Sequence, residues 1–341
     1  MKAIGFTQSL NISEGKSLFE FETNQPVATG HEILVEVKAI SVNPVDTKVR
    51  NGAAKNKILE TPRILGFDAA GVVVGLGDKV KNYKLGDEVY YAGDITKSGS
   101  NQQFQVIDEA IVGSKPKSLS FSQAAAIPLT AITAHEALFE RLDICKNGTD
   151  KNKTILIIGG AGGVGSIAIQ LAKKLAQLKV IATASKADSV QWVQKLGADY
   201  VVNHRNDLSE EIKQIGIEQV DYILCLSDTD GHWSAMCKAL KPQGSICTIV
   251  ENAEPLDMNI LKSKSAKLSF EFMFTRSMFN TPDKQQQQII LNEIAKLIDD
   301  QVIVHTQKHE FTPINVTNIK QAHLLLEQGR TIGKITLHGW E

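Results

Sequence analysis

The chain has 341 residues, with 37 Lys and Arg against 38 Asp and Glu and a formal net charge of -1. That balance gives no electrostatic reason to expect nucleic acid or an anionic membrane as partner. The length exceeds the size at which one core usually keeps growing, which predicts two domains. Residues 1–6 lack the apolar core of a signal peptide, and no later stretch is long enough to span a bilayer. The four cysteines, Cys145, Cys225, Cys237 and Cys247, form no C-x-x-C pair and read as reduced core thiols. The expectation is a cytoplasmic protein with a small-molecule partner.

Up to residue 127 the pattern is short β-rich runs broken by glycine, proline and asparagine, with period-two alternation over residues 32–40 and another strand at 70–74. This half predicts a small β-barrel-like domain. Residues 122–142 turn alanine-rich and helical, interrupted by Pro128, as suits a helix crossing between domains. From residue 154 the rhythm becomes strand, helix, strand up to about residue 250, which predicts a doubly wound parallel sheet. After about residue 267 the alternation stops. The predicted boundaries are therefore 1–127, 128–266 and 267–341, the last returning to the first domain. Residues 268–274 are expected as a strand, residues 285–298 as a helix, and the tract Gln285 to Gln288 as a polar helix face.

The most informative segment lies at 154–173. Thr154-Ile155-Leu156-Ile157-Ile158 is a buried-strand run, Gly159-Gly160-Ala161-Gly162-Gly163-Val164-Gly165 follows, and a helix pattern begins at once. Gly160, Gly162 and Gly165 take the three places of G-x-G-x-x-G: a tight turn, an approach for a pyrophosphate, and close packing of helix on strand. The next strand, 179–183, ends in Ala184-Ser185-Lys186 where an NAD-binding unit would place Asp or Glu on the ribose diol. Ser185 and Lys186 instead suit a 2'-phosphate, so NADPH is preferred to NADH. Asp188 is the rival acid, but its place before a helical run reads more simply as a cap or first-turn residue. Lys186 also has the plain reading of an exposed loop lysine.

Several runs together resemble the medium-chain dehydrogenase/reductase superfamily, quinone oxidoreductase branch, including bacterial zinc-type alcohol dehydrogenase-like proteins. They are Ser41-Val42-Asn43-Pro44-Val45-Asp46-Thr47, Leu65-Gly66-Phe67-Asp68-Ala69-Ala70-Gly71, Gly86-Asp87-Glu88-Val89, Ile127-Pro128-Leu129-Thr130-Ala131, the glycine loop and Gly333-Lys334-Ile335. The resemblance implies an α/β protein with a GroES-like catalytic domain, a Rossmann domain, an active cleft between them and a homodimeric assembly. It implies Gly160, Gly163 and Val164 near the pyrophosphate, and Ser185, Lys186 and His204 near the adenosine phosphate. Thr130 is implied near the nicotinamide carboxamide, with Leu226, Ile249 and Lys334 along the cofactor groove. His204 reads equally well as a surface loop histidine.

The resemblance also raises zinc. The family's zinc enzymes carry Cys, His and Cys where this chain has Asn43, Phe67 and Ala126, and residues 90–108 lack the cysteines of a structural zinc lobe. No metal is expected, because a phenyl ring and a methyl offer no lone pair and a neutral amide is a poor zinc donor. Hydride transfer without a Lewis acid favours a quinone or an α,β-unsaturated carbonyl, which delocalises incoming charge. Asn43 is the first candidate for an amide donor to substrate or nicotinamide ribose, with Tyr91 and Asp46 as proton-relay candidates. Each has a structural alternative: Asn43 as a turn residue before Pro44, Tyr91 as a strand aromatic, Asp46 as a partner of Lys48 or Arg50. Phe270, Phe272, Phe274 and Phe279 could line an apolar pocket or simply pack. The competing functions are a zinc-dependent alcohol dehydrogenase and a non-catalytic NADPH-binding redox sensor.

Overall fold

The computed structural model describes residues 1–341. The chain divides into two units, residues 1–132 with 274–341, and residues 133–273. The crossings thus fall a few residues later than the pattern change suggested. Helix α3 (Pro128–Glu136) runs without a break through the first crossing, following α1 (Pro44–Gly52) and α2 (Phe121–Ala125). Pro128 sits in its first turn, where a missing N–H costs nothing, so it starts this helix rather than interrupting one.

The first unit is largely antiparallel β structure closed by the C-terminal segment, which contributes one parallel strand pairing. Its N-terminal strands are β1 (Lys2–Phe6), β2 (Phe19–Glu22), β3 (Glu32–Val42), β4 (Arg63–Ile64), β5 (Ala69–Leu76), β6 (Glu88–Tyr91), β7 (Phe104–Asp108) and β8 (Val112–Ser114). The long β3 pairs with β5 on one side, and with β7 and a C-terminal strand on the other.

The second unit holds β9 (Thr154–Ile158), α4 (Gly163–Lys174), β10 (Lys179–Thr183), α5 (Ala187–Lys195), β11 (Tyr200–Val202), α6 (Leu208–Gln214), β12 (Val220–Cys225), α7 (Thr229–Ala239), β13 (Leu240–Thr248), α8 (Asn259–Lys262) and β14 (Lys267–Phe270). Its six strands lie in the order β11-β10-β9-β12-β13-β14, and every pairing is parallel. Central β9 is buried at all five positions, as a parallel strand covered on both faces must be. Leu156, Ile158, Ile181, Val202, Ile223, Trp233 and Met236 belong to one core cluster here.

The chain then returns through α9 (Thr275–Met278), α10 (Gln286–Asp299), β15 (Gln307–Phe311), α11 (Val316–Glu327) and β16 (Lys334–His338), with β16 antiparallel to β3. Four expectations are corrected here. The strand beginning at Lys267 does not return to the first unit but completes the parallel sheet beside β13. It ends at Phe270, so the phenylalanines share no face: Phe270, Phe272 and Phe279 are exposed, while Phe274 is buried against Phe67. Gln287 and Gln288 are buried rather than solvated, and the Gln288 amide donates to Tyr83 Oη and to Glu109 O, both 3.1 Å away. Cys145 is exposed; the other three cysteines are buried as expected.

Candidate functional site

Because the strands are parallel, their C-terminal ends share one edge of the second unit. This is the edge at which doubly wound sheets bind ligands. It carries the glycine turn after β9, Ser185 and Lys186 after β10, His204 after β11, Leu226 after β12 and Ile249 after β13.

The glycines divide the work differently from the motif's register. Gly159, one residue ahead of the motif, takes the left-handed conformation at φ +82°, and its N–H donates to Thr183 Oγ1 at 3.0 Å, tying the turn to β10. A Cβ on Gly160 would lie 2.9 Å from Ala182 Cβ, and one on Gly165 only 2.5 Å from Gly159 O and 2.6 Å from Gly160 O. Both are close-packing glycines. Gly162 is the N-cap of α4 at φ -73°, and its added Cβ would meet only Gly159 O, at 3.5 Å. That side of the turn is open.

The first N–H groups of a helix have no acceptor within it, and no side chain caps α4; Gly162 N–H bonds Gly159 O at 3.2 Å, and the next backbone bond is Ser166 N–H to Gly162 O, at 2.9 Å. Residues 161–164 are partly exposed around those donors. The result is an open row of donors at the positive end of a twelve-residue helix, an arrangement suited to an anion. Ser166 is held in turn by the indole of Trp192, which donates to Ser166 Oγ at 2.8 Å.

Beyond β10, Ser185 is half-buried and Lys186 exposed. Lys186 is the N-cap of α5, its backbone N–H and C=O both bonded to the Ser189 hydroxyl, and its ammonium forms no ion pair. Asp188 is exposed in the first turn of α5, a first-turn residue rather than the cap. His204 is half-buried, its ring edge-on to that of His232 at 6.4 Å between centroids. Burial holds both imidazoles below the usual histidine range. Leu226 and Ile249 are half-buried at the same edge.

The other candidates belong to the first unit, where they are enclosed. Asn43, Asp46 and Tyr91 are each 1% exposed. Asn43 is the N-cap of α1 ahead of Pro44; its Nδ2 donates to Asp68 Oδ2 at 2.8 Å and its Oδ1 accepts from Lys334 Nζ at 2.5 Å. Asp46 pairs with neither Lys48 nor Arg50: its carboxylate accepts the N–H groups of Asn43 and Gly66, at 2.8 and 3.1 Å. Tyr91 donates its hydroxyl proton to Gln105 Oε1 at 2.9 Å, and burial drives its pKa far above the usual phenol value. The Asp46 and Tyr91 side chains are therefore already engaged by partners within the first unit. Thr130 is also buried, its hydroxyl bonded to Ile127 O at 3.0 Å.

Lys334, expected along the cofactor groove, is only 4% exposed. Its ammonium is spent on Val42 O, Asn43 Oδ1 and Asp68 Oδ2, at 3.0, 2.5 and 2.9 Å. Asp68 completes its own set by accepting the Leu129 N–H at 2.8 Å, in the first turn of α3. This Asp68–Lys334 pair, like His232 and Thr183, escaped sequence reasoning. Gly159 and Thr183 could have been found as the residues ending two adjacent strands; nothing local marks Asp68 and Lys334 as partners.

Burial pushes Asp46 up to about 7, against its two N–H bonds and the Lys334 charge, and Asp68 is raised by burial as well. The folded state then binds the Asp46 proton more tightly than the unfolded chain, so this group's contribution to stability falls as pH rises from about 4 through about 7. Asp46→Asn, which mimics the protonated group, should gain on the wild type as pH rises through that window. Urea unfolding midpoints at pH 5 and pH 8 measure the change, and a difference that does not vary with pH would refute it.

The zinc positions are filled by residues that do not fit the metal. The Asn43 oxygen already holds an ammonium, the Phe67 ring packs edge-on against Phe274 at 5.2 Å, and Ala126 offers a methyl. Nor does any group of three His, Cys, Asp or Glu side chains converge elsewhere.

An antiparallel β unit interrupted by a six-stranded parallel sheet with a dinucleotide turn defines a two-domain oxidoreductase, and the chain belongs to the medium-chain dehydrogenase/reductase superfamily. Residues 29–135 match the alcohol dehydrogenase GroES-like domain and residues 163–285 the zinc-binding dehydrogenase family. A zinc-type alcohol dehydrogenase-like protein of Staphylococcus epidermidis is 43% identical over 339 residues, 99% of each chain. The 2-methylene-furan-3-one reductase of Solanum lycopersicum is 29% identical, over 99% of this chain and 79% of its own. The structure of Escherichia coli quinone oxidoreductase complexed with NADPH superposes with a TM-score of 0.83 at 28% identity, covering 99% of this chain and 100% of that one.

Proposed function

We propose that this protein is an NADPH-dependent, metal-independent reductase of quinones or α,β-unsaturated carbonyls, working as a homodimer. The observation that carries the cofactor reading is the exposed, ion-pair-free Lys186 beside Ser185, on the same sheet edge as the open face of the glycine turn. An ammonium there favours a 2'-phosphate, where a carboxylate would repel one. NADPH, when bound, supplies the hydride. In this reading the N–H groups of Gly163, Val164 and Gly165 hold the pyrophosphate, His204 adds to the adenosine end, Leu226 and Ile249 line the groove, and Thr130 lies near the carboxamide.

The acceptor follows from the donor set. Without a zinc-ligating trio, the charge arriving on the substrate oxygen is met by hydrogen bonds alone, which suits acceptors that spread that charge through conjugation. The quinone oxidoreductase and the furanone reductase among the similar proteins fit that chemistry. Asn43 is the residue of this chain suited to donate such a bond, because one hydrogen of its amide remains after the bond to Asp68. No helix is long and apolar enough to cross a membrane, and the acceptor is taken to be a small molecule of the cytoplasm.

Oxidation of NADPH by a panel of quinones, enones, aldehydes and alcohols tests the proposal. Turnover of quinones or enones is the expected result. Metal-dependent alcohol oxidation would overturn it in favour of a zinc dehydrogenase, and tight NADPH binding without turnover of any acceptor would overturn it in favour of a redox sensor.

A further inference from the structure

The buried centre of the first unit contains two carboxyls, Asp46 and Asp68, and one ammonium, Lys334, all within a few per cent of complete burial. A buried carboxylate without a partner is costly, and breaking a buried pair from one side alone is among the most damaging substitutions. Asp68 draws its partners from three places far apart in the sequence: the Asn43 amide, the Leu129 N–H opening α3 and the Lys334 ammonium opening β16. The same ammonium reaches Val42 O and Asn43 Oδ1. An ammonium has three N–H donors and no acceptor, and here all three are used. The carbonyl, the amide oxygen and the carboxylate together make a socket for a cation with three hydrogens.

We propose that this socket is an internal cation site whose resident occupant is the Lys334 ammonium, which fixes the Asn43 amide and neutralises Asp68, and that Lys334 is a positioning residue rather than a cofactor contact. The charges also decide how Asn43 is turned. Lys334 takes the amide oxygen and Asp68 one amide hydrogen, so the amide has only one orientation that satisfies both neighbours. An all-oxygen socket already filled by a tethered cation is a poor place for zinc, which prefers nitrogen and sulfur donors. The absence of zinc ligands at 43, 67 and 126 and the presence of Lys334 are on this account two parts of one arrangement.

Lys334→Ala deletes the three outer methylenes and the ammonium, a fragment with the shape of propylammonium. The variant should unfold roughly 5 °C or more below the wild type, as expected for loss of one partner of a buried pair. Millimolar propylammonium should raise the midpoint of the variant and leave the wild type unchanged. Tetramethylammonium, which has charge but no N–H donor, should not, and neither should zinc. A variant as stable as the wild type, or a rescue no better with propylammonium than with tetramethylammonium, would overturn the proposal.

If Lys334→Ala fails to fold, the doubly neutral Lys334→Met/Asp68→Asn decides, since it removes both charges of the pair and leaves Asp46 with its two backbone N–H bonds. It should fold with a midpoint above that of Lys334→Met and bind NADPH about as the wild type does. A double variant no more stable than Lys334→Met would overturn the proposal, and loss of NADPH affinity beyond about tenfold in the folded double variant would return Lys334 to the cofactor groove. Stability and alkylammonium rescue are read without any acceptor substrate, so these results are independent of whether quinones or enones are turned over.

Discussion

Lys186→Glu should weaken NADPH binding by about 1.5–3 kcal/mol, roughly ten- to a hundredfold, and leave NADH binding unchanged or slightly improved. The size follows from exchanging a charge-assisted hydrogen bond to a phosphate for a like charge beside it. Lys186 is exposed and makes no ion pair, so its replacement breaks no internal bond, and the α5 cap it forms uses backbone atoms and the Ser189 hydroxyl. Because the contact is solvated, the difference between the two cofactors should also narrow as salt is raised. Titration of wild type and variant with both cofactors measures this, and an unchanged NADPH affinity would remove Lys186 from the site.

The second large effect separates two glycines only three residues apart. Gly165→Ala forces a methyl to within 2.5 Å of Gly159 O and 2.6 Å of Gly160 O, both backbone atoms with no rotamer in which to retreat. The turn or the start of α4 must shift, which should cost about 1–3 kcal/mol of stability, the usual range for overpacking, and should lower affinity for NADPH and NADH alike. Gly162→Ala meets nothing closer than 3.5 Å and keeps an ordinary backbone conformation, so stability should stay within about 0.5 kcal/mol of the wild type. Its methyl nevertheless stands on the open face where a pyrophosphate would approach, so binding should fall without unfolding. Thermal melts and cofactor titrations of the two variants read the contrast. Equal stability losses would show that the two sides of the turn had been assigned wrongly.

The parts of this molecule legible in the sequence are those set by local pattern. A buried run with four consecutive apolar residues, a glycine cluster and an immediate helix allow one reading, and the strand–helix rhythm after it foretold the parallel sheet. What was misread depended on partners distant in the chain. Strand β14 ends up beside β13 because an edge position in a parallel sheet was still open, and no residue within 267–270 announces it. Gln288 looks solvent-bound by type, yet its partners Tyr83 and Glu109 lie about two hundred positions away. Lys334 and Asp68 are separated by 266 positions, so nothing local announces the bond between them. Tyr91 and Asp46 are likewise held by Gln105 and Gly66, contacts no spacing rule predicts.

The zinc question shows the same distinction. Family membership follows from similarity along the whole chain, whereas the metal depends on three side chains, and side chains at those positions are Asn43, Phe67 and Ala126. A shared fold therefore does not carry the metal with it.

The central claim is most directly tested by following NADPH oxidation with a quinone acceptor before and after exhaustive chelation, with the zinc content of each sample measured alongside. Turnover that chelation leaves unchanged, in protein holding far less than one zinc per chain, is the expected result. Activity that disappears with the metal and returns when zinc is restored would contradict it.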